Sequence, residues 1–489
     1  MANKLPKTIL LLSVGLFFLY FSNGRYSFAW ATWLFPVFLL KVSRNEKKIF
    51  SFLIIPLLFG VVSQLSFWKF CYNDPNNFLF YFPFFGGIVF GLLFFIDRLF
   101  YFKLRGFTAT LVFPLTYTIA DFLSNLFNPF GTTGVLGYSQ SEFLSFSQLA
   151  SLTGMWGLTF MITWFGSVVC WYLDNYNKKL NVIKGIAVYF SILISILVYG
   201  GIRLSIPLEK GTVKISAFHT YDKDVELNQM FKSFKSHDTL AFKKISNITI
   251  SRLINTTIKE ANGGAKIVVW GEGSPVILGN DEDSLIQVFK NLAVQKDIYL
   301  VTCPFSMRTN TKPENKILLF APNGNVVLKH TKYGGSFIEG SVQGDKTIKT
   351  ISTPYGNLAA LICWDADFPS VVRQVGKSNA DILLIPSSDW KEIDPLHTFV
   401  AVFRGIENGC SVVRQTQNGL SIMTDPMGRT VAKVDHFGSD SWIMTGQVPT
   451  KKRWTLYPII GDLFGWLSVI GFVIVLIIAL KNTKEIVTS

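Results

Sequence analysis

The sequence is poor in charged residues and in cysteine, and each shortage excludes a class of protein. Only 16% of its 489 residues are charged, whereas soluble domains carry about a quarter. The five cysteines show neither the paired spacing of a disulfide framework nor the spacing of metal ligands: Cys71, Cys170, Cys303, Cys363 and Cys410. We therefore predict no metal and no other cofactor. An odd count also leaves at least one thiol free in an oxidising compartment.

Internal repeats, low-complexity linkers and basic stripes interleaved with aromatic residues are also missing. The last absence argues against nucleic-acid binding, even though the formal net charge is +14. Membrane topology and anionic lipid headgroups account for much of that charge.

Apolar residues are abundant instead, at 49% of the chain, with 45 phenylalanines. A membrane-spanning helix needs roughly 20 apolar residues, or about 17 at the short end. Eight runs approach that length: 7–21, 26–40, 49–66, 78–96, 107–125, 149–173, 185–202 and 458–480. A signal peptide is the alternative for the first run, which begins near Lys4 and Lys7. No small-residue cleavage site follows it and a second run begins at once, which favours a retained span.

Basic residues occur in every second loop between these runs, and cytoplasmic loops are enriched in Lys and Arg. They lie at the start of the first run and after the second, fourth, sixth and eighth: Lys4 and Lys7; Lys41, Arg44, Lys47 and Lys48; Arg98, Lys103 and Arg105; Lys178, Lys179 and Lys184; Lys481 and Lys484. The pattern predicts a seven-span membrane domain over 1–205 and a further span at 458–480. Both termini are then cytoplasmic, and the domain at 210–455 is extracytoplasmic.

The segment 210–455 has the composition of a globular α/β domain. Strand-like apolar runs recur along it: 213–218, 267–270, 298–303, 317–320, 358–363, 382–385, 410–414 and 420–424. Turn signals at Asn323-Gly324 and Pro426-Met427-Gly428 predict paired strands. Helical patterns at about 238–261, 282–295 and 396–408 complete a two-sheet core flanked by helices.

Three chemically capable side chains lie at the end of, or just after, strand-like or hairpin segments. Glu272 comes after 267–270, Lys332 follows the Asn323-Gly324 hairpin, and Cys363 ends 358–363. A thiolate is a strong nucleophile, a carboxylate can accept the thiol proton, and an ammonium can stabilise an oxyanion. Singly, each residue type is usually structural or solvated. Together, in this order, they indicate acyl transfer through a thioester.

The segments around these residues resemble the nitrilase superfamily, whose fold is an αββα sandwich with a Glu-Lys-Cys triad. Strand-Trp-x-Glu matches Glu272, aromatic-x-Lys matches Lys332 with His330 in the usual Tyr place, and Ile-Cys-aromatic-acid before Phe-Pro matches Cys363. Later stretches are similar as well: 403–409, 418–421 and 425–428.

The membrane part resembles the bacterial apolipoprotein N-acyltransferase family, and soluble nitrilases have no such segment. The similar motifs are Asn128-Pro129-Phe130, Leu136-Gly137-Tyr138-Ser139-Gln140, Gln148-Leu149-Ala150 and Gly154-Met155-Trp156-Gly157. The resemblance implies a multi-pass protein of the bacterial inner membrane that takes an acyl chain from a phospholipid onto Cys363. The α-amine of a diacylglyceryl-modified apolipoprotein cysteine then resolves the thioester.

The chain departs from the family pattern at several positions. Gly271 replaces the usual Pro, Trp364 stands where Tyr is usual, and Asp365 stands for Glu. The segment 333–340 matches the family's loop poorly, and Glu339 aligns with the Glu of that loop if a deletion is allowed. Glu339, Trp364 and Asp365 are therefore predicted supporting residues.

Two other functions remain open from the sequence. A membrane-bound amidase or related nitrilase-type hydrolase would use water to resolve the thioester and would release free fatty acid or ammonia. A lipoprotein-binding scaffold with a degenerate nitrilase domain would need none of the three site residues and would have an inert thiol.

Overall fold

The computed structural model describes residues 4–70, 74–177, 179–208, 211–220 and 223–488. Cys71 and Lys178 therefore lie outside the described residues. The described residues up to Ile206 and from Ile460 onward form one compact unit, and those within Pro207–Ile459 form another.

The first unit is helical, as predicted. Its longer helices are Lys4–Tyr20, Ala29–Asn45, Ile55–Ser66 (after a π-helical turn Phe50–Ile54), Phe82–Tyr101, Val112–Phe127, Met155–Asn175, Lys179–Ser205 and Leu463–Thr488. Shorter helical segments join them: Phe78–Tyr81, Gly106–Leu111, Leu136–Gln140, Leu144–Ser147 and Ala150–Thr153.

Five stretches of the described helices are long and apolar enough to cross a membrane: Phe78–Tyr101, Gly106–Phe127, Met155–Asn175, Asn181–Ser205 and Leu463–Thr483. The predicted spans at 7–21, 26–40 and 49–66 are not among these five. The eight-span topology therefore stays a prediction.

Two predicted runs begin too early because a glycine interrupts each. The helix in 149–173 begins only at Met155, since Gly154, with φ +63°, separates it from the preceding short segment. The helix in 458–480 begins at Leu463. It follows a separate turn, Tyr457–Ile460, and Gly461 at φ +59°. Glycine takes this left-handed conformation without a Cβ clash, so it ends a helix readily.

The family-like motifs of the membrane part tie segments of the helical unit together. Gln140 is fully buried; it accepts a hydrogen bond from Trp33 Nε1 at 3.0 Å and donates to Thr32 Oγ1 at 2.9 Å. Trp156 Nε1 donates to Asp462 Oδ1 at 2.7 Å. Because a buried polar group is costly unless it is hydrogen-bonded, these contacts fix how the segments pack.

Arg44, predicted as a loop charge after the second run, lies instead inside the helix Ala29–Asn45 and is buried. Its Nε and Nη2 donate to the Asp97 carboxylate at 2.8 and 2.9 Å, and Nη2 also donates to Ser167 Oγ at 2.9 Å. The guanidinium lies over the Tyr101 ring, 3.7 Å from its centroid. The pair therefore joins three helices rather than marking a cytoplasmic loop.

Replacing Arg44 by methionine is expected to destabilise the helical unit strongly. Removing one partner of a buried ion pair leaves an uncompensated charge, at a cost of about 3–5 kcal/mol. Denaturation of the purified protein in mixed micelles would measure the loss. The double variant Arg44→Met/Asp97→Leu should recover much of it, and a double variant as unstable as the single one would contradict this explanation.

The second unit contains two sheets in its described residues. The strands are β1 Thr212–Phe218, β2 Ile267–Trp270, β3 Val276–Leu278, β4 Tyr299–Thr302, β5 Phe305–Met307, β6 Glu314–Phe320, β7 Val326–Thr331, β8 Thr350–Thr353, β9 Gly356–Ala360, β10 Ile382–Ser388, β11 Ser411–Gln417, β12 Leu420–Thr424, β13 Thr430–Asp435 and β14 Ile443–Pro449. One sheet has the strand order β14-β1-β2-β4-β6-β5-β3 with β7 beside β6, and the other has the order β13-β12-β11-β10-β9-β8. Both predicted turns join antiparallel neighbours, β6–β7 and β12–β13.

The sheets pack face to face and helices cover their outer sides, so the predicted αββα sandwich is confirmed. Alternate residues of β2 face different layers: Ile267 and Val269 pack between the sheets, whereas Val268 and Trp270 pack in the core beneath the outer helices. This double burial explains why the strands appear as continuous apolar runs. The helices are Lys223–Lys235, Thr239–Asn262, Glu282–Lys296, Ser336–Glu339, Pro369–Lys377 and Leu396–Asn408.

Candidate active site

The three predicted site residues lie just beyond the ends of β2, β7 and β9. Strands β2 and β4 are parallel in one sheet, and β9, β10 and β11 are parallel in the other. The carboxyl ends of parallel strands form the usual ligand-binding edge of a sheet. Here Glu272 N donates to Ser387 O at 3.4 Å, which links the two sheets at this edge.

Glu272 and Lys332 form a buried ion pair. Lys332 Nζ lies 2.6 Å from Glu272 Oε1, and the two residues are only 2% and 5% exposed. Asn315 Nδ2 donates to the same oxygen at 2.7 Å. Glu272 Oε2 is also buried but has no hydrogen-bond partner among the described residues. That oxygen is therefore free to accept a proton.

Glu339 also contacts Lys332, at the end of the short helix Ser336–Glu339. Its other oxygen accepts from Asn315 Nδ2 at 3.4 Å. An ammonium has three donors, and two of those on Lys332 go to Glu272 and Glu339. The third has no partner among the residues that the structure describes and can serve a developing oxyanion.

Cys363 begins a 3-10 helix, Cys363–Asp367, three residues after Ala360, the last residue of β9. Its φ of +44° is uncommon for a residue with a side chain and costs on the order of 1–3 kcal/mol. The thiol is buried, 3.6 Å from Ser388 O and 3.9 Å from Asp389 Oδ1. A strained turn that presents a nucleophile at a strand end is common in hydrolytic folds.

Burial sets the resting charges of the site. It raises the pKa of the Cys363 thiol well above its ordinary value, and the Glu272 carboxylate raises it further, against the opposing effect of Lys332. Burial also raises the pKa of Glu272. The pKa of Lys332, which burial alone would lower, is raised by Glu272 and Glu339. The raised pKa favours the protonated thiol, so a nucleophilic role of Cys363 would require a base.

Asp365 and Trp364 hold the segment that follows Lys332 against the turn at Cys363. Asp365 Oδ1 accepts from the backbone nitrogens of Tyr333 and Gly334 at 2.9 and 2.7 Å. A Cβ on Gly334 would lie 2.6 Å from the Trp364 carbonyl carbon, so only glycine allows this close approach. Of the three predicted supporting residues, Asp365 and Trp364 therefore contact this segment, and their supporting role stays a prediction.

A second layer of polar residues, which was not predicted from the sequence, lies beside Cys363. Arg414 donates through Nη2 to both oxygens of Asp389, at 2.8 and 2.9 Å, and His397 Nδ1 lies 3.2 Å from Asp389 Oδ1. Arg414 lowers the pKa of Asp389 well below its usual range, although burial opposes this. Asp389 follows β10 directly, so the strand-end pattern that indicated Glu272 could also have indicated Asp389.

Cys363, Asp389 and His397 place potential metal ligands within 4.8 Å of one another. Both Asp389 oxygens already accept from the Arg414 guanidinium. A metal ion there would lie beside a buried positive charge. The donor set is therefore a poor metal site, and its chemistry is better suited to holding the loop around Cys363.

Replacing Asn315 by alanine is expected to lower activity at neutral pH by about tenfold, because a hydrogen bond to a charged group is worth about 1.5–3 kcal/mol. The pKa of Glu272 should rise further without this donor. The acid limb of the kcat/KM profile, where Glu272 becomes protonated, should then move to higher pH. Asn325→Ala, in the exposed turn of the same hairpin, is the matched control. An acid limb that does not move in Asn315→Ala would contradict the interpretation of Glu272 as the proton acceptor.

Two family models match the chain, one in each unit. The apolipoprotein N-acyltransferase N-terminal domain matches residues 13–168, and the carbon-nitrogen hydrolase domain matches residues 248–453. The chain belongs to the apolipoprotein N-acyltransferase family. Membership of this family and the five apolar helices make it a multi-pass protein of the inner membrane.

Curated relatives align with both parts of this acyltransferase-family chain. The apolipoprotein N-acyltransferase of Geobacter metallireducens is 22% identical, over 77% of this chain and 75% of its own length. That of Bradyrhizobium diazoefficiens is 25% identical, over 73% of this chain and 70% of its own length. An amidase of known structure from Nesterenkonia sp. covers 50% of this chain and 94% of its own, with 16% identity and a TM-score of 0.39.

Proposed function

We propose that this chain transfers an acyl chain from a phospholipid, through a thioester on Cys363, to the α-amine of the diacylglyceryl-cysteine of an apolipoprotein. The main support is the burial of Glu272, Lys332 and Cys363 together at the strand ends, in a chain whose membrane part matches the N-terminal family domain. Phospholipid and lipoprotein substrates follow from the family. Confinement of both in one membrane raises their effective concentration near the site.

In the first step Glu272 accepts the proton of the Cys363 thiol, and the sulfur attacks the carbonyl carbon of the phospholipid ester. The free ammonium donor of Lys332 stabilises the tetrahedral oxyanion. The intermediate collapses with cleavage of the bond to the glycerol oxygen. Glu272 returns its proton to that oxygen, so a lysophospholipid leaves and the acyl chain remains on sulfur.

In the second step the α-amine of the diacylglyceryl-cysteine attacks the thioester carbonyl. Glu272 accepts the amine proton while the carbon–sulfur bond breaks, and it then returns the proton to the Cys363 thiolate. The products are an amide-linked acyl chain and the resting thiol. Water would hydrolyse the thioester, so the site must exclude water while the thioester exists. Glu339, which contacts Lys332, and Trp364 and Asp365, which contact the segment after Lys332, would hold that segment in place during this time.

We further propose that the catalytic unit lies outside the cytoplasm and that both termini are cytoplasmic. Basic residues in every second loop support this orientation by the positive-inside rule. Arg44 no longer counts toward it, because its charge is paired inside the helical unit. Lys47 and Lys48 still mark that loop as basic.

The function is tested with the purified full-length chain, phospholipid vesicles and a synthetic peptide that carries an N-terminal diacylglyceryl-cysteine. The expected product is a peptide heavier by one acyl chain, together with an equal amount of lysophospholipid. Release of free fatty acid with an unmodified peptide would indicate the hydrolase instead. No reaction, with a Cys363 thiol that maleimide cannot label, would indicate the scaffold.

A further inference from the structure

His330 lies buried on β7, two residues before Lys332, and both of its ring nitrogens have partners. Nε2 lies 2.7 Å from Asp365 Oδ2, and Nδ1 lies 3.3 Å from the backbone oxygen of Thr347. A carboxylate and a carbonyl oxygen are both acceptors. A neutral imidazole has only one N–H, so this pair of contacts fits the imidazolium, which donates from both nitrogens.

Asp365 connects His330 to two segments of the site by hydrogen bonds. Besides His330, its carboxylate accepts from the backbone nitrogens of Tyr333 and Gly334, directly after Lys332. It also accepts from Ile362 N at 2.9 Å, directly before Cys363. One carboxylate therefore joins the chain beside the ammonium to the chain beside the nucleophile.

We propose that His330 is a positioning residue whose imidazolium form holds Asp365 in place, so that Lys332 and Cys363 keep the relative geometry that acyl transfer requires. The proposal rests on the proposed function for its kinetic readout. It goes beyond that function because it assigns a charge-dependent role to a side chain outside the reacting groups.

The charges around His330 favour its protonated form. The carboxylates of Asp365, on the 3-10 helix, and of the exposed Asp345, in the segment before β8, both favour the charged imidazole. The cross-strand neighbour of His330 on β6 is the apolar Ile317. Burial alone would lower the pKa of His330, but the hydrogen bond and charge of Asp365 outweigh burial and raise it. The pKa of Asp365 is lowered by His330 and by its backbone donors, despite its burial.

These directions of the two pKa shifts define the pH range in which the His330–Asp365 contact is intact. A histidine with a raised pKa contributes fully below its ordinary value, and its contribution is lost as the pH rises through the folded-state pKa. The contribution of Asp365 is lost as the pH falls through its own lowered pKa. The His330–Asp365 contact is therefore complete between the ordinary pKa of an aspartate and that of a histidine, and it weakens as the pH rises through the raised pKa of His330.

The test compares the full-length protein with His330→Gln, which keeps a donor for Asp365 but cannot carry charge, and with His330→Phe, which has neither. We expect wild-type kcat to fall as the pH rises through the pKa of His330, which Asp365 raises. In His330→Gln, kcat should be about tenfold lower at neutral pH, with KM within twofold, and without this alkaline step. A role in packing alone would not remove a titration from the profile.

Peptide-level measurement of maleimide labelling at Cys363 gives a second readout that needs no transfer activity. At neutral pH the thiol should label several-fold faster in His330→Phe than in the wild type, because the backbone at Ile362, directly before Cys363, is then held less firmly by Asp365. Superimposable pH profiles for the wild type and His330→Gln, or equal labelling rates in all three proteins, would overturn the proposal. If the wild type transfers no acyl chain, the proposed function fails, and the labelling rates still test whether His330 holds Asp365 in place. If His330→Phe does not fold, His330→Gln decides alone.

Discussion

Replacing Cys363 by alanine is expected to abolish acyl transfer, with a loss of about 10⁴-fold or more. The variant lacks the only atom in the proposed mechanism that carries the acyl chain between donor and acceptor. Uncatalysed attack of an amine on a phospholipid ester is too slow to replace it. Transfer to the diacylglyceryl-cysteine peptide, followed by mass, measures the effect.

Two further variants test whether the loss of transfer in Cys363→Ala is specific to the thiol of that residue. Cys363→Ser preserves size at the strained turn but offers a weaker nucleophile, so it should also lose most activity. Cys410→Ala removes a thiol that is also buried but precedes β11, away from the proposed chemistry, and should transfer at the wild-type rate. Substantial transfer by Cys363→Ala would show that Cys363 is not the nucleophile.

Glu272→Gln is expected to lower kcat/KM by about 10²–10⁴-fold, the usual contribution of a general base. The amide matches the carboxylate in shape, so Lys332 and Asn315 can stay in place, but it cannot accept the thiol proton. Because burial raises the pKa of Cys363, few thiols ionise without a base. Transfer at alkaline pH should partly recover, since hydroxide then removes the proton.

The pH profile separates this role from a structural one. Wild-type activity should fall as the pH drops through the pKa of Glu272, which burial raises, and the Glu272→Gln profile should lack this acid limb. Glu392→Gln, on the loop after β10, is the control and should keep it. An acid limb that persists in Glu272→Gln would assign the base to another group.

The fold was largely predictable because its central strands are buried on both faces. Runs such as Ile267–Trp270 are apolar at every position, so they stand out from the surrounding polar loops. The short strands Val276–Leu278 and Phe305–Met307 were not predicted. Three residues carry too little pattern, and these strands depend on pairing with each other. The helix Lys223–Lys235 was also missed, because its sequence is weakly apolar and Met230 is its one buried residue among the side chains that the structure describes.

The candidate site was predictable only where a reactive residue follows a strand. Glu272, Lys332 and Cys363 do so, and the structure places the first two in contact. Asn315 lies inside β6, 43 positions from Glu272, and nothing local indicates that their side chains meet. The contact of Glu339 depends on the path of the segment over Trp364, which glycines at 334 and 335 allow. Such contacts arise from tertiary packing, which sequence patterns do not report.

The intact mass of the protein, after incubation with phospholipid and no acceptor, tests most directly whether Cys363 carries the acyl chain as a thioester. A thioester on Cys363 predicts a mass increase of one acyl chain, located on Cys363, absent in Cys363→Ala and removed by neutral hydroxylamine. Adding the diacylglyceryl-cysteine peptide should discharge the adduct and move the chain to the peptide amine. Transfer to the peptide without any adduct, or an adduct that persists in Cys363→Ala, would contradict it.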